Sequence, residues 1–380
     1  MKVAFFVSDN SQMSGAFKCL VTMVKLLRDD YGVIPKVIVP RHGDGEQLLD
    51  QEKIDYVCIH SHDWITPINL YNLPKERAKW IAEKATNLKA IFKIKKVLKE
   101  FDPDLVHINT SWDYVGATAA CDLRIPIVWH IREFLEEDQF CRFWDKKKAY
   151  NLISKSAGII AISQAIKEKY QPIFGDKIET IYDGLDDSIY YSNHELFNDT
   201  TQILTVGGLY PGKGQAKVLK ALGSLNKKGI TDFKYKLVGK GGEQATLEKI
   251  AQKEGISDRV KFYGFSENPE QFYQKSDIFV MASASEAFGR VTVEAMMNGL
   301  LVIGKNSAAT AEILKNGECG LLFEDEHDLA NKLEKVMANK EQACFLAKKG
   351  QDNAMQNYTA NHNADKIYEL YHSILKKRKK

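Results

Sequence analysis

Short apolar segments alternate with longer amphipathic segments along almost the whole chain, and this alternation restricts the fold more than any other feature. Runs such as VAFFV, IPIVWH and DIFVMA have the length and composition of buried strands, and the stretches between such runs have helical periodicity. Strands that alternate with helices are typical of a parallel sheet covered by helices on both faces. The pattern therefore predicts an α/β protein.

The chain has 380 residues, which favours two domains because single hydrophobic cores stop growing near roughly 250–300 residues. Two successive sets of alternating elements predict two doubly wound, Rossmann-like domains, residues 1–190 and 191–358, separated by the polar stretch DDSIYYSNHELFNDT. For residues 359–380 we expect a helix that packs back on the N-terminal domain and ends in a basic tail.

Bulk properties exclude several classes of protein. The formal net charge of +3 is too small to indicate a nucleic-acid-binding protein. The six cysteines are scattered without metal-ligand spacing, which is typical of reduced thiols in a cytoplasmic protein. The N-terminal apolar run is short enough for a first strand and unlike a secretory signal, and no run of about 18 apolar residues predicts a membrane span.

Polar and glycine residues follow several of the predicted strands. Because doubly wound sheets bind ligands beyond the carboxyl ends of their strands, two such domains facing each other would gather these residues in an interdomain cleft. In the second half they are Gly207, Gly208, Lys213 and Gly239, and in the first half they are Gly15, Asn109, His130 and Arg132.

The stretch SEAFGRVTVEAMMNG places Glu286 and Glu294 on either side of a glycine turn that opens a helix. A helix N-terminus preceded by glycine offers unpaired N–H groups to a phosphate, here near Gly289 to Val291. Carboxylates repel phosphate, so these two are better suited to accept hydrogen bonds from hydroxyl groups beside it. Hydroxyls that flank a phosphate indicate a nucleotide sugar.

These segments resemble the retaining GT-B glycosyltransferases of family 4, the glycosyl transferases group 1, over nearly the whole chain. EAFGRVTVEAM is similar to the family's Glu-x7-Glu pattern, VGGLYPGKGQ to its diphosphate-binding loop, and VWHIRE, IYDGLD and MSGAF to further family segments. The resemblance implies retaining transfer of a hexose from a UDP- or GDP-linked donor to a glycan or lipid-linked acceptor, in the synthesis of cell-surface polysaccharide or glycolipid. No carboxylate cluster with suitable spacing follows a predicted strand, so we expect no metal, and we expect no other cofactor.

The resemblance also implies roles for individual residues. Catalytic roles fall to His130, Glu286 and Lys213, with Glu294 holding the ribose hydroxyls and Glu286 those of the sugar. The donor-binding set is Gly207, Gly208, Lys213, Gly239, Glu286, Phe288, Gly289, Arg290, Val291 and Glu294. The acceptor-side set is Gly15, Asn109 and Arg132.

Three departures from the family pattern bear on the site. Gly208 stands where the family commonly has an arginine that pairs with the diphosphate, Asp183 replaces an asparagine, and Gly15 is the only glycine of the first loop. Arg290 either supplies the missing charge, or points to solvent or pairs with a nearby acid. Arg132 either serves the acceptor side or pairs with Glu133.

Three alternatives stay open at this point. A nucleotide-sugar epimerase of GT-B shape, or a non-catalytic partner of another transferase, would share the architecture. The lysine-rich helix from Pro74 to Glu100 and the terminal segment ILKKRKK are either solvated surfaces or sites of peripheral contact with the anionic inner face of a membrane.

Overall fold

The computed structural model describes residues 1–378, which form two compact units. Unit 1 comprises Met1–Gly184 together with the chain from Ala360 onward, and unit 2 comprises Leu185–Thr359. The first limit precedes the predicted domain end at residue 190. The end of the basic tail, residues 379–380, lies outside the described residues.

Unit 1 is built on a seven-stranded parallel sheet with the strand order β3-β2-β1-β5-β6-β8-β9. A separate antiparallel pair, β4 with β7, was not predicted, because β4 contains a proline and β7 an arginine, and neither belongs to the alternation of apolar runs and helices that indicates the parallel strands. In chain order the strands are β1 (Lys2–Phe6), β2 (Ile34–Val39), β3 (Tyr56–Cys58), β4 (Ile65–Pro67), β5 (Leu105–Ile108), β6 (Ile127–Ile131), β7 (Cys141–Phe143), β8 (Gly158–Ala161) and β9 (Ile178–Thr180).

Helices cover both faces of this sheet because their apolar sides pack on its buried strands. The first helix begins after Ser14, whose hydroxyl accepts the N–H of Phe17 at 3.2 Å and caps it. The fourth lies so close to β1 that a Cβ on Gly116 would overlap the ring of Phe6. The helices are α1 (Gly15–Tyr31), α2 (Glu46–Gln51), α3 (Pro74–Phe101), α4 (Val115–Leu123), α5 (Lys146–Ile153) and α6 (Gln164–Phe174).

Unit 2 has a six-stranded parallel sheet with the order β12-β11-β10-β13-β14-β15. Its strands are β10 (Thr201–Val206), β11 (Phe233–Val238), β12 (Val260–Gly264), β13 (Ile278–Met281), β14 (Leu301–Lys305) and β15 (Leu321–Phe323). Its helices are α7 (Asp187–Tyr190), α8 (Gln215–Lys227), α9 (Gln244–Lys253), α10 (Glu270–Tyr273), α11 (Arg290–Met297), α12 (Ala308–Ile313), α13 (Glu326–Ala338) and α14 (Lys340–Asn357).

The last helix, α15 (Ala360–Arg378), belongs to unit 1, where it packs against α1. Ile367 and Tyr371 are fully buried, and the rings of Tyr31 and Tyr368 stack with centroids 4.3 Å apart. The Tyr371 hydroxyl lies 2.6 Å from Nδ1 of His107, which is on β5. The C-terminal helix is therefore part of the core of the N-terminal unit.

Both sheets confirm the predicted Rossmann-like class. In unit 1 the strand order reverses between β1 and β5, and in unit 2 it reverses between β10 and β13. Ligands of doubly wound sheets bind beyond the strand ends at such reversal points, so the loops after these four strands are the places to look for a site. Within residues 1–378, no helix combines the length and apolar character that a membrane span requires.

Candidate active site

The loops at the carboxyl edge of the unit 2 sheet are hydrogen-bonded to one another. The N–H of Leu209, after β10, donates to the carbonyl of Lys240, after β11, at 3.1 Å. The N–H of Ala284, after β13, donates to the carbonyl of Gly212 at 3.1 Å. Three loops from different strands therefore form one surface around the reversal point.

Glycine makes this close approach of backbones possible. Gly207 and Gly239 have φ angles of 149° and 147°, and a Cβ on Gly239 would overlap the carbonyl of Gly207. Gly214, with φ 75°, lies in the same way against the carbonyl of Ala282. Side chains are thus excluded from the middle of the edge, which leaves main-chain groups to face a ligand.

Lys213 and Glu286 meet at this edge. The Lys213 ammonium lies 2.7 Å from Oε1 of Glu286, and their side chains are 32% and 15% exposed. The Glu286 carbonyl accepts the N–H of Ala309 at 3.3 Å, which ties its loop to the start of α12. The structure therefore brings a cation and an acid of the predicted set together.

Glu294, one turn into α11, is held by two neighbours. Its Oε2 accepts the hydroxyl of Tyr273 at 2.8 Å, and its Oε1 lies 3.7 Å from the guanidinium of Arg290. Burial, followed by the charge of Glu294, raises the pKa of Tyr273 well above its ordinary value. Tyr273 therefore stays protonated and acts as a fixed donor that orients the carboxylate.

The start of α11 lies between the two acids. Gly289, with φ 83°, caps the helix, and Arg290 and Val291 form its first turn. Phe288 is buried, with its ring centroid 5.8 Å from that of Tyr358. The helix N-terminus is thus anchored by a buried aromatic side chain, next to the acids on either side of it.

Gly208 is supported by α8. The Gln215 amide donates to the Gly208 carbonyl at 2.9 Å, and a Cβ on Gly208 would overlap the ring of Tyr210. Neither Gln215 nor Tyr273 was singled out from the sequence, since each acts through a residue that carries the motif. Their roles become visible only in three dimensions.

In unit 1 the predicted acceptor-side residues also meet at one edge. Nε of Arg132 donates to the main-chain carbonyl and to Oδ1 of Asn109 at 3.0 and 3.1 Å. The Asn109 amide donates to the Ala16 carbonyl at 3.2 Å, beside Gly15, the first residue of α1. The loop after β5 and the start of α1, on either side of the reversal point, are joined through one side chain.

The partner of Arg132 corrects one sequence-based alternative. Its guanidinium pairs with Asp183, and both residues are buried. The Glu133 carboxylate instead accepts the main-chain N–H groups of Ser111 and Arg132, at 2.9 and 2.7 Å. Burial raises the pKa of Glu133 to about 7. The suggested side-chain pair between Arg132 and Glu133 is therefore wrong.

His130 is fully buried behind Arg132. Its Nδ1 lies 3.3 Å from the Arg132 guanidinium, and its ring centroid is 5.5 Å from that of His107. Burial, then the charge of Arg132, lowers the pKa of His130 well below its ordinary value. The ring is neutral and enclosed, so its catalytic role stays a prediction.

One group of side chains in the described part of the chain has the spacing of metal ligands. His42, Glu46 and Cys58 place their ligand atoms within 4.8 Å of one another in unit 1. This group is separate from the candidate active site in unit 2. There Glu286 is paired with a lysine and Glu294 accepts a tyrosine hydroxyl. The expectation of a metal-independent reaction stays a prediction.

Comparisons with known proteins agree with this geometry. The family model of glycosyl transferases group 1 matches residues 189–353, and that of glycosyltransferase family 4 matches residues 66–189. Anabaena HepE in complex with UDP superposes with a TM-score of 0.80 and 23% identity, over 98% of this chain and 100% of that chain. Its complex with UDP-glucose superposes over the same shares with a TM-score of 0.77 and 25% identity.

Curated relatives have similar sequence identities over a smaller share of the chain. N-acetyl-alpha-D-glucosaminyl L-malate synthase of Bacillus anthracis is 24% identical over 59% of this chain, which spans 61% of that enzyme's length. An alpha-1,4-N-acetyl-D-galactosaminyltransferase of Campylobacter jejuni is 23% identical over 89% of both chains. The two family models together match residues 66–353. By these matches and its two Rossmann-like sheets, the chain belongs to the group 1 glycosyltransferases.

Proposed function

We propose that the protein is a retaining glycosyltransferase that moves a sugar from a nucleotide-sugar donor to a glycan or lipid-linked acceptor. The proposal rests on the arrangement at the carboxyl edge of the unit 2 sheet, where a lysine and two acids surround the glycine-capped start of α11. Lys213 and Glu286 lie 2.7 Å apart, and Glu294 is oriented by Tyr273. A nucleotide sugar has a diphosphate between two hydroxyl-bearing sugars. The cations at this edge suit the diphosphate, and the two acids suit the hydroxyls on either side of it.

Each acid at this edge is paired with a cation before a donor binds. A donor would exchange these partners, because its diphosphate attracts Lys213 while its hydroxyls donate to Glu286. Glu294, held in place by Tyr273, would receive the ribose hydroxyls. The exchange keeps every buried charge partnered, which avoids the cost of an unsatisfied ionised group. UDP and UDP-glucose in the HepE complexes support a uridine donor.

Transfer breaks the bond between the anomeric carbon and a phosphate oxygen, and negative charge grows on the departing diphosphate. Lys213 and the N–H groups of Arg290 and Val291 would stabilise that charge from fixed positions. In the retaining reaction the acceptor attacks on the face that the diphosphate leaves, and the diphosphate takes its proton. No step needs a metal ion, so transfer should persist in excess EDTA. Loss of activity that Mg²⁺ or Mn²⁺ restores would contradict this.

The acceptor side is assigned to unit 1, where Arg132 and Asn109 join the loops at the reversal point. The Campylobacter jejuni relative has a name that describes transfer to a glycan on undecaprenol diphosphate. That name supports an acceptor of the lipid-linked glycan class. We therefore propose that the reaction belongs to cell-surface polysaccharide or glycolipid synthesis, and we expect it on the cytoplasmic side, where nucleotide sugars are used.

A two-step experiment tests the proposal. Nucleotide sugars are first screened by thermal shift, and the best donor is then incubated with lipid-linked and free glycans, with the product's anomeric configuration read by NMR. We expect stabilisation by a UDP-sugar and transfer with retention. Inversion would refute the retaining mechanism. Conversion of the donor without any acceptor would indicate an epimerase, and binding without turnover would indicate a non-catalytic partner.

A further inference from the structure

A histidine, a glutamate and a cysteine meet at the carboxyl edge of the unit 1 sheet. His42 and Glu46 follow β2, with Glu46 as the first residue of α2, and Cys58 is the last residue of β3, which pairs with β2. Their ligand atoms, one from each side chain, all lie within 4.8 Å of one another. Because the three residues come from two different strand ends, the spacing of the cysteines in the sequence does not reveal the group. We call these three residues the β2–β3 cluster.

The turn that carries two members of the cluster is packed tightly on the loop after β1. A Cβ on Gly43 would overlap the main-chain carbonyl of Asn10, and a Cβ on Gly45 would overlap its Oδ1. The N–H of Gly45 also donates to the Asn10 carbonyl at 3.4 Å. Glycine is needed at both positions for this approach. His42 and Glu46 therefore project from a main chain that is fixed by its neighbour.

Glu46 is oriented by a buried amide. Asn10 is 5% exposed, and its amide donates to Oε1 of Glu46 at 3.2 Å and to the carbonyl of Arg41 at 2.9 Å. In metal sites, a hydrogen-bond donor behind a carboxylate fixes it as a ligand. Oδ1 of Asn10 is buried and has no hydrogen-bond partner among residues 1–378. A buried oxygen of this kind needs a donor, and a metal-bound water is one.

The His42 ring already faces Glu46. Its Nδ1 lies 2.8 Å from Oε1 of Glu46, while its side chain is 81% exposed. Without a metal ion, this contact requires a proton on Nδ1. A metal ion would take the lone pair of Nδ1, and the proton would then be carried by Nε2 of the exposed ring. The ring can therefore change from a hydrogen-bond donor to a ligand without losing a proton.

We propose that the β2–β3 cluster is a binding site for a divalent transition-metal ion, for which Zn²⁺ fits best. Nitrogen and sulfur ligands favour Zn²⁺ over Mg²⁺ and Ca²⁺, which prefer oxygen. Three protein ligands leave a fourth tetrahedral position for water, as in open zinc sites. Binding joins the loops that follow β2 and β3, and it releases the proton of the Cys58 thiol, since the thiolate is the ligand.

This site stands apart from the proposed function. None of the residues assigned to the donor or the acceptor belongs to the β2–β3 cluster, and no step of the transfer passes through it. Transfer in excess EDTA is therefore expected whether or not the cluster binds Zn²⁺. A failure of metal binding would leave the proposed function untouched.

Titrations with Co²⁺ and Zn²⁺ test the proposal on the full chain, kept reduced and freed of metal with EDTA that is then removed. A thiolate bound to Co²⁺ gives a charge-transfer absorption band in the near ultraviolet. We expect the wild type to show this band and Zn²⁺ to remove it by displacing Co²⁺. Calorimetry of Zn²⁺ binding in buffers of different ionisation enthalpy should give about one proton released at pH 7.

Variants assign the ion to the cluster. Cys58→Ser should abolish the cobalt band and weaken Zn²⁺ binding on the order of 100-fold or more, since loss of a group that merely supports a ligand already costs about 10–100-fold. Glu46→Gln should also weaken Zn²⁺ binding, although its amide oxygen can still accept from Asn10. Cys121→Ser is the matched control, because Cys121 is another half-buried thiol of unit 1, and it should bind Co²⁺ and Zn²⁺ like the wild type.

Melting temperatures measured without metal show that each variant is folded, and added Zn²⁺ should raise the melting temperature of the wild type but not that of Cys58→Ser. A wild type without the cobalt band, or Cys58→Ser that keeps it, would overturn the proposal. Wild-type affinity for Zn²⁺ in Glu46→Gln would also overturn it, because the ion would then lie elsewhere.

Discussion

At the scale of single residues, the ionised groups that are buried or half-buried at the two sheet edges have specific partners. Arg132 pairs with Asp183 in unit 1, and Lys213 pairs with Glu286 in unit 2. A buried charge is costly unless it is paired. The aspartate at position 183, where the family has asparagine, is therefore explained by the buried guanidinium beside it.

Removing one member of this buried pair should destabilise the protein strongly. Asp183→Asn leaves Arg132 without its counter-charge, and we expect a loss of about 3–5 kcal/mol in the free energy of unfolding. Arg132→Met combined with Asp183→Asn should cost less than the sum of the single changes. Denaturant unfolding of the four proteins measures the coupling, and strictly additive effects would contradict the pairing.

His107 gives the protein a defined sensitivity to acid. Burial, then the charge of Arg132, lowers the pKa of His107 to about 3. In the unfolded chain this side chain takes up a proton near pH 6.5. The folded state binds the proton only near pH 3, so the free energy of unfolding is unaffected by His107 above pH 6.5 and falls as the pH is lowered from 6.5 toward 3. Because glutamine does not titrate, the loss in free energy of unfolding between about pH 7 and pH 5 should be about 2 kcal/mol smaller in His107→Gln than in the wild type. Parallel stability–pH curves for the two proteins would disprove this.

Arg290 is the candidate for supplying the positive charge that the family's arginine at the position of Gly208 provides. Its guanidinium lies 3.7 Å from Glu294, which favours the acid-pairing alternative in the structure without a donor. We predict that a donor draws it to the diphosphate, so Arg290→Ala should lower kcat by on the order of 10²-fold. Gly208→Arg should partly rescue that variant, because the exposed Tyr210 ring can move aside, and Gly208→Ala is the control. Wild-type kinetics in Arg290→Ala would show that Lys213 and the main chain suffice.

At the scale of elements, the unit 2 edge depends on loops that touch through their main chains. Gly239 has φ 147° and lies against the Gly207 carbonyl, whereas a Cβ on Gly212 would meet nothing within 4 Å. Gly239→Ala should therefore separate two loops and lower both thermal stability and donor affinity. Gly212→Ala in a neighbouring loop should change neither by much. Equal melting temperatures and donor affinities in the two variants would contradict this account of the edge.

At the scale of the whole molecule, the alternating strands and helices and the two parallel sheets could be predicted from the sequence. Strands such as β1 and β13 lie in uninterrupted apolar runs, whereas β4 contains a proline and β7 an arginine. The motif residues could be placed on loops because loops after parallel strands share one edge. Their supports could not be predicted, since Arg132 is 51 residues from Asp183 and Tyr273 is 21 from Glu294. No local pattern selects such partners among the chain's 50 acidic residues.

Affinity for UDP, measured by calorimetry on three proteins, tests the central claim that the two acids divide the donor between them. Glu294→Gln should weaken UDP binding by about 1–3 kcal/mol, because a charged hydrogen bond to the nucleotide is lost. Glu286→Gln should bind UDP at least as tightly as the wild type, since it releases Lys213 for the diphosphate, yet turn over the donor far more slowly. Wild-type affinity for UDP in Glu294→Gln would contradict the assignment of the nucleotide to the unit 2 edge.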